Sequence, residues 1–161
     1  MIYKNISKCR LCSSKKLKKI LDLKKQPPAN SLKMKQFHKE HKIPLITLHC
    51  SNCKTVQLSS TVNPKYLFNH YLWVTNTSIS AKKYSKIFCD RILKKTNKNS
   101  FIVEIASNDG TFLKPFLRKK KKILGIDPAK NIARLANKNG IRTLPVFFNS
   151  KCAKKIVKKY S

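Results

Sequence analysis

At 161 residues and 41% hydrophobic content the chain can bury one ordinary core or two small ones, which excludes a large multidomain assembly. No run of 18 apolar residues occurs, and Lys4 and Lys8 interrupt the start, so neither a membrane span nor a secretory leader is expected and the cytoplasm is the expected compartment. The formal charge of +31 comes from 37 basic and 6 acidic residues, but only five of the basic ones are arginine, the side chain suited to forked recognition of phosphates and bases. Lysine spread from end to end reads as compositional drift that sticks to polyanions without sequence preference, so no specific nucleic-acid partner is expected.

Residues 1–62 read as a metal-bound module. Cys9-Arg-Leu-Cys12 and Cys50-Ser-Asn-Cys53 are two ligand pairs 37 residues apart. A Cys-x-x-Cys turn brings two thiolates to one ion, and two such turns complete the tetrahedral sulfur shell preferred by zinc. The ligand set alone also fits an iron–sulfur cluster, whereas a redox dithiol needs only one pair. Four thiolates leave no open position, so the ion is expected to hold structure and do no chemistry. Between the pairs lie Pro27-Pro28 and one apolar run, Ile43–Leu48; so small a core needs the ion to fold. His38, His41 and His49 are read as solvated or outlying groups, and Val56-Gln57-Leu58 as a strand leaving the second pair.

Residues 63–99 read as a connector. Tyr66, Phe68, Tyr71 and Trp73 crowd into eight residues, as packing or, for Tyr71 and Trp73, as the lining of an acceptor site. A helix is predicted over Ser78–Lys95, capped by Ser78 or Ser80, with Tyr84, Ile87, Phe88, Arg91 and Ile92 at helical spacing and Cys89 as a buried core thiol.

Residues 100–161 carry the chemistry. Phe101–Ile105 is an apolar run with one acid, Glu104, as for a buried parallel strand. Ala106-Ser107-Asn108-Asp109-Gly110 is a tight turn, and Pro115 fits best in the first turn of a helix starting near Lys114. Ile123–Asp127 is a second strand ending on an acid, Asn131–Asn139 a helix closed by Gly140, Ile141–Phe148 the site of a third strand, and Lys151–Tyr160 a further helix. The predicted fold class is therefore α/β: a small N-terminal zinc module joined to the first part of a Rossmann-like sheet. Glu104 and Asp127 lie 23 residues apart on adjacent strand ends, a spacing that suits a ligand with a ribose diol. The loop lacks both the glycine triad of a dinucleotide site and the Gly-Lys-Ser/Thr of a P-loop, and Glu-x-x-x-Asn-Asp-Gly followed by Gly-Ile-Asp fits S-adenosylmethionine better.

In order, Cys9-x-x-Cys12, Cys50-x-x-Cys53-x-x-Val56-Gln57-Leu58, Tyr71-x-Trp73, Val103–Thr111, Gly125-Ile126-Asp127-Pro128-Ala129 and Phe147-Phe148 resemble the sugar C-methyltransferase family. In that family a zinc-binding domain precedes a class I S-adenosylmethionine domain. The resemblance implies S-adenosylmethionine binding and methylation of a nucleotide-linked 4-keto-deoxysugar, a small-molecule partner. It implies that Glu104, Ala106 and the turn Asn108, Asp109, Gly110 lie near the methionyl end, with Asp127 on the adenosine ribose. Ala106 stands where the family usually has glycine. The family's base and carbanion stabilisers come from beyond the first three strands, leaving His70 and Tyr71 as local candidates. The chain is thus expected to be an N-terminal fragment showing no methyl transfer alone. The competing reading is a basic zinc module that binds nucleic acid or protein.

Overall fold

The computed structural model describes residues 1–29 and 40–160; His38 lies outside them. The chain packs as two units, Met1–Leu67 and Phe68–Ser161. Residues 68–99, read above as connector, pack as part of the second unit.

The first unit holds five strands. β1 (Tyr3–Asn5) is followed by the first cysteine pair, then β2 (Leu17–Gln26), β3 (Ile43–Cys50), β4 (Val56–Leu58) and β5 (Ser60–Val62). β2, β3 and β4 form an antiparallel sheet in that order, and β1 pairs with β5. β2 was not visible in the sequence because its apolar positions do not alternate. Its pairing with β3 slips twice, between Lys19 and Leu21 and again between Asp22 and Lys25, so no two-residue period survives. Buried Gln57 ties the first cysteine turn to β4: its Oε1 accepts from the Arg10 N–H at 2.8 Å and its Nε2 donates to the Lys8 carbonyl at 3.3 Å. The short helix α1 (Pro64–Phe68) ends this half of the chain.

The second unit begins with a 3-10 turn at Thr75–Thr77 and α2 (Ile79–Leu93), whose cap is Ser78, its Oγ accepting from the Ala81 N–H at 3.2 Å. Cys89 is fully buried on it, as expected. There follow β6 (Phe101–Ile105), α3 (Lys114–Arg118), β7 (Lys122–Ile126), α4 (Lys130–Lys138), β8 (Thr143–Leu144) and α5 (Ser150–Tyr160). The sheet is parallel, order β6-β7-β8. Leu113, Ala136 and Ile141 cover one face with Ile102 and Ile123; Ile156 of α5 packs on Leu124 and Ile126 with Phe101 and Val103 on the other. Each fully buried leucine or isoleucine among them contributes about 1.5–3 kcal/mol of transfer free energy. The observed architecture is the α/β fold with a parallel core that the patterning predicts. No helix among the described residues is long and apolar enough to cross a membrane.

Candidate functional site

Two places concentrate chemistry. In the first unit the Sγ atoms of Cys9, Cys12, Cys50 and Cys53 all lie within 4.8 Å of one another. Cys9 and Cys53 sulfurs are 3.5 Å apart, Cys12 and Cys50 sulfurs 3.7 Å. Zinc–sulfur bonds of about 2.3 Å in a tetrahedron require sulfurs about 3.8 Å apart, so the cluster fits a metal as it stands. The two turns are built alike. Ser13 N–H donates to the Cys9 carbonyl and Lys54 N–H to the Cys50 carbonyl, both at 2.9 Å. Each of those donors takes a left-handed φ, 60° at Ser13 and 64° at Lys54. The Thr55 hydroxyl, 3.3 Å from Cys53 Sγ, and the Thr55 amide pull that thiol down to about 6, favouring the thiolate a metal needs. The Asn52 amide, 3.5 Å from Cys12 Sγ, lowers that thiol too.

In the second unit the residues proposed from sequence gather at the C-terminal edge of β6 and β7. The register sets Glu104 beside Gly125 and Ile105 beside Ile126, so the two acidic tips share one sheet edge. Between them the turn is held by side chains. Asp127, buried, accepts from the Asn108 N–H on Oδ2 and from the Ala129 N–H on Oδ1, each at 2.9 Å. Asn108 Oδ1 accepts from the Thr75 N–H at 2.9 Å while its Nδ2 donates to the Trp73 carbonyl at 3.2 Å. Asp109, also buried, accepts from the Asn76 N–H at 3.2 Å and from the Thr111 hydroxyl at 2.8 Å. Tyr71 is held the same way: its N–H donates to Asn131 Oδ1 at 3.1 Å, and its carbonyl accepts from Asn131 Nδ2 at 2.7 Å. Tyr71 and Trp73 are thereby fixed on a strap beside the turn, Trp73 half exposed. His70 is exposed.

Residues 9–68 match a methyltransferase-associated family model described as "Putative zinc binding domain". Over 163 aligned positions, 99% of this chain, the sequence is 26% identical to the C-methyltransferase NovU of Streptomyces niveus. The chain joins a four-cysteine cluster that fits a metal to a region similar to a C-methyltransferase. It spans 39% of NovU's length.

Among the described residues, two buried polar atoms at this turn have no partner, Glu104 Oε2 and Ser107 Oγ. Such atoms carry a desolvation cost of about 1–3 kcal/mol unless something satisfies them. Burial, then the negative charges of Asp109 and Asp127, push the Glu104 carboxyl up to about 7. Gly110 lets the chain turn with φ at 78° and sits where a Cβ would lie 2.5 Å from Ile141 Cγ2. Ala106 takes φ of 56° and Asn108 of 49°, left-handed values that asparagine adopts readily and alanine only at a cost of about 1–2 kcal/mol. Sequence reasoning placed Ser107 in the turn without giving it a role, and missed Asn131, Thr75 and Asn76, which tie the turn to its strap. One signal was available: residues 66–81 and 99–113 contain no lysine or arginine, although the chain carries 37. These two windows are the ones that touch, through Thr75–Asn108 and Asn76–Asp109.

Proposed function

We propose that the chain is part of an S-adenosylmethionine-dependent C-methyltransferase, with zinc in the four-cysteine cluster and the cofactor lying across the ends of β6 and β7. The observation that carries this reading is the distribution of acid. Three of the six acidic residues of a +31 chain, Glu104, Asp109 and Asp127, meet at one turn, and among the described residues the one buried carboxylate oxygen lacking a partner belongs to them. A cationic ligand with hydrogen-bond donors supplies what that turn lacks, and a polyanion does not. S-adenosylmethionine supplies, when bound, an electrophilic methyl group beside a positive sulfonium.

In this reading Glu104 and Ser107 receive the donors of the methionyl end. Asp127 turns its remaining lone pairs to the ribose hydroxyls while its backbone bonds keep the turn in place. Tyr71 and Trp73 line the acceptor side, and the acceptor is a nucleotide-linked 4-keto-deoxysugar. The zinc ion links two similar turns and leaves catalysis to the other unit.

The test is calorimetric titration of the full chain with S-adenosylhomocysteine and, separately, with a mixed-sequence oligonucleotide at about 0.15 M salt. Saturable binding of the nucleoside, lost in Glu104→Gln and weakened in Ser107→Ala, is the expected result. Saturable oligonucleotide binding that persists at this salt, with no heat from the nucleoside, would favour a nucleic-acid module instead.

A further inference from the structure

In a chain with 37 basic residues, a group of cations carries information only where the fold gathers it and leaves it unpaired. One such group lies between α2 and α3, within the second unit. Lys82 and Lys86 of α2 and Lys114 and Arg118 of α3 line a single cleft of about 240 Å³. On each helix the two cations stand four residues apart, so they share a face one turn apart, where like charges repel.

Three observations separate these four from the general excess of lysine. Lys119, next in the chain after Arg118, has Asp90 as its partner at 2.7 Å, whereas among the described residues none of the four cleft cations forms an ion pair. Their placement is also abrupt: residues 66–81 and 99–113 contain no lysine or arginine, and Lys82 and Lys114 are the first cations after those two windows. Charge thus changes sign from an acidic turn to a cationic cleft instead of being spread evenly. Finally, the wall between the cations is already fixed. The buried Ser85 hydroxyl donates to the Lys82 carbonyl at 2.9 Å, and the buried Thr111 hydroxyl to Asp109 Oδ1 at 2.8 Å. Asn76, which also lines the cleft, donates its N–H to Asp109 Oδ2 at 3.2 Å. Asp109 itself stays behind that wall, and neither it nor Glu104, Ser107 or Asp127 lines the cleft.

We propose that this cleft binds a diphosphate group, one phosphoryl facing the α2 pair and the other the α3 pair. Lysine meets a phosphate as a point charge and arginine as a fork, and the Asn76 side chain adds a neutral group at the rim. Four cations on two facing helices suit an anion with several charges on two centres, where a carboxylate would leave most of their repulsion standing. At about 240 Å³ the cleft is smaller than the roughly 300–1,000 Å³ of sites that enclose a whole ligand, so it fits one group, either free or at the head of a larger molecule. A polynucleotide gains from cations anywhere along its track and has no need of a closed cleft. The proposal does not rest on nucleoside binding at the turn, and S-adenosylhomocysteine carries no phosphate, so either can fail without the other.

The experiment titrates the full chain with inorganic diphosphate and, separately, with uridine diphosphate, by calorimetry at about 0.15 M salt. Saturable binding of at least one is expected, together with a thermal midpoint that rises with its concentration. The double variant Lys86→Ala, Arg118→Ala should weaken it by about tenfold or more, with circular dichroism unchanged because both side chains are exposed. The comparison is Lys154→Ala, Lys158→Ala on α5, which removes the same charge from another exposed pair four residues apart and should change binding by less than about twofold. Tighter binding of uridine diphosphate would identify nucleotides as the source of the group, and equal or weaker binding the free anion; both support the site. Failure of either diphosphate to bind saturably overturns the proposal. So does an equal loss in the α5 variant, which would make the attraction a property of the whole chain's charge.

Discussion

Glu104 is the residue whose chemistry departs furthest from the ordinary. Its folded-state carboxyl is raised to about 7 by burial and by Asp109 and Asp127, against 4.5 when unperturbed. A raised carboxyl means the fold prefers the protonated acid, so its contribution is full below pH 4.5 and is lost as pH rises towards 7. Between pH 5 and 8 the chain should therefore lose on the order of 2–3 kcal/mol relative to Glu104→Gln, in which this slope is absent. Thermal unfolding of both proteins across that range checks it; equal slopes would mean the carboxyl is not buried as described. Ala106 gives a second residue-scale prediction. Its φ of 56° strains a Cβ-bearing residue, so Ala106→Gly should raise stability by about 0.5–1 kcal/mol, net of the entropy glycine adds to the unfolded chain. Urea melts with unchanged m-value measure that gain. The sequence made both residues visible, Glu104 by its place at the end of an apolar run and Ala106 by the resemblance. It could not show that the Asn108 and Asp109 side chains bond to residues 75 and 76, because nothing local encodes a contact across 33 residues.

Among the elements, legibility followed periodicity. β6, β7, α4 and α5 stand close to their predicted bounds because apolar residues recur at strand or helix spacing and Gly140 closes α4. α3 starts at Lys114, with Pro115 in its first turn where the missing N–H costs nothing. β2 was illegible because bulges destroy its alternation, and β1 and β5 because three residues carry too little pattern. One packing rule is specific to β7. A Cβ at Gly125 would lie 2.5 Å from both Ser107 Oγ and Thr143 Oγ1, inside a buried seam between strands. Gly125→Ala should cost about 1–3 kcal/mol, and adding Ser107→Ala should return part of it, since the nearest remaining Ser107 atom is its Cβ at 3.1 Å. A double-mutant cycle by chemical denaturation reads that coupling; strict additivity would show that the seam can open without strain.

For the molecule as a whole the question is how so basic a chain folds at all. Among the described residues only two ion pairs occur, Lys19–Asp22 and Lys119–Asp90, both with largely exposed lysines, and exposed pairs contribute at most about 1 kcal/mol. Self-repulsion is thus weakly compensated by charge, and each unit depends on what is local to it. The second unit has a two-faced sheet with fully buried Phe116, Leu113, Leu124 and Ile126. Among the described residues the first has little of this kind: its buried apolar residues are Ile43 and two of the cysteines themselves, Cys9 and Cys50, while Ile20, Leu21 and Leu23 on β2 lie about half exposed. A metal holding four thiolates contributes on the order of 10 kcal/mol in small modules, which exceeds what that core supplies. Removing the metal should therefore unfold the first unit alone. The protein as purified is expected to carry one zinc per chain by elemental analysis, and Cys50→Ser to carry none. With a chelator present, amide exchange should become fast along β3 and β4 while β7 keeps its protection. Retention of β3 protection in the metal-free protein would mean the sheet, and not the ion, holds that unit together.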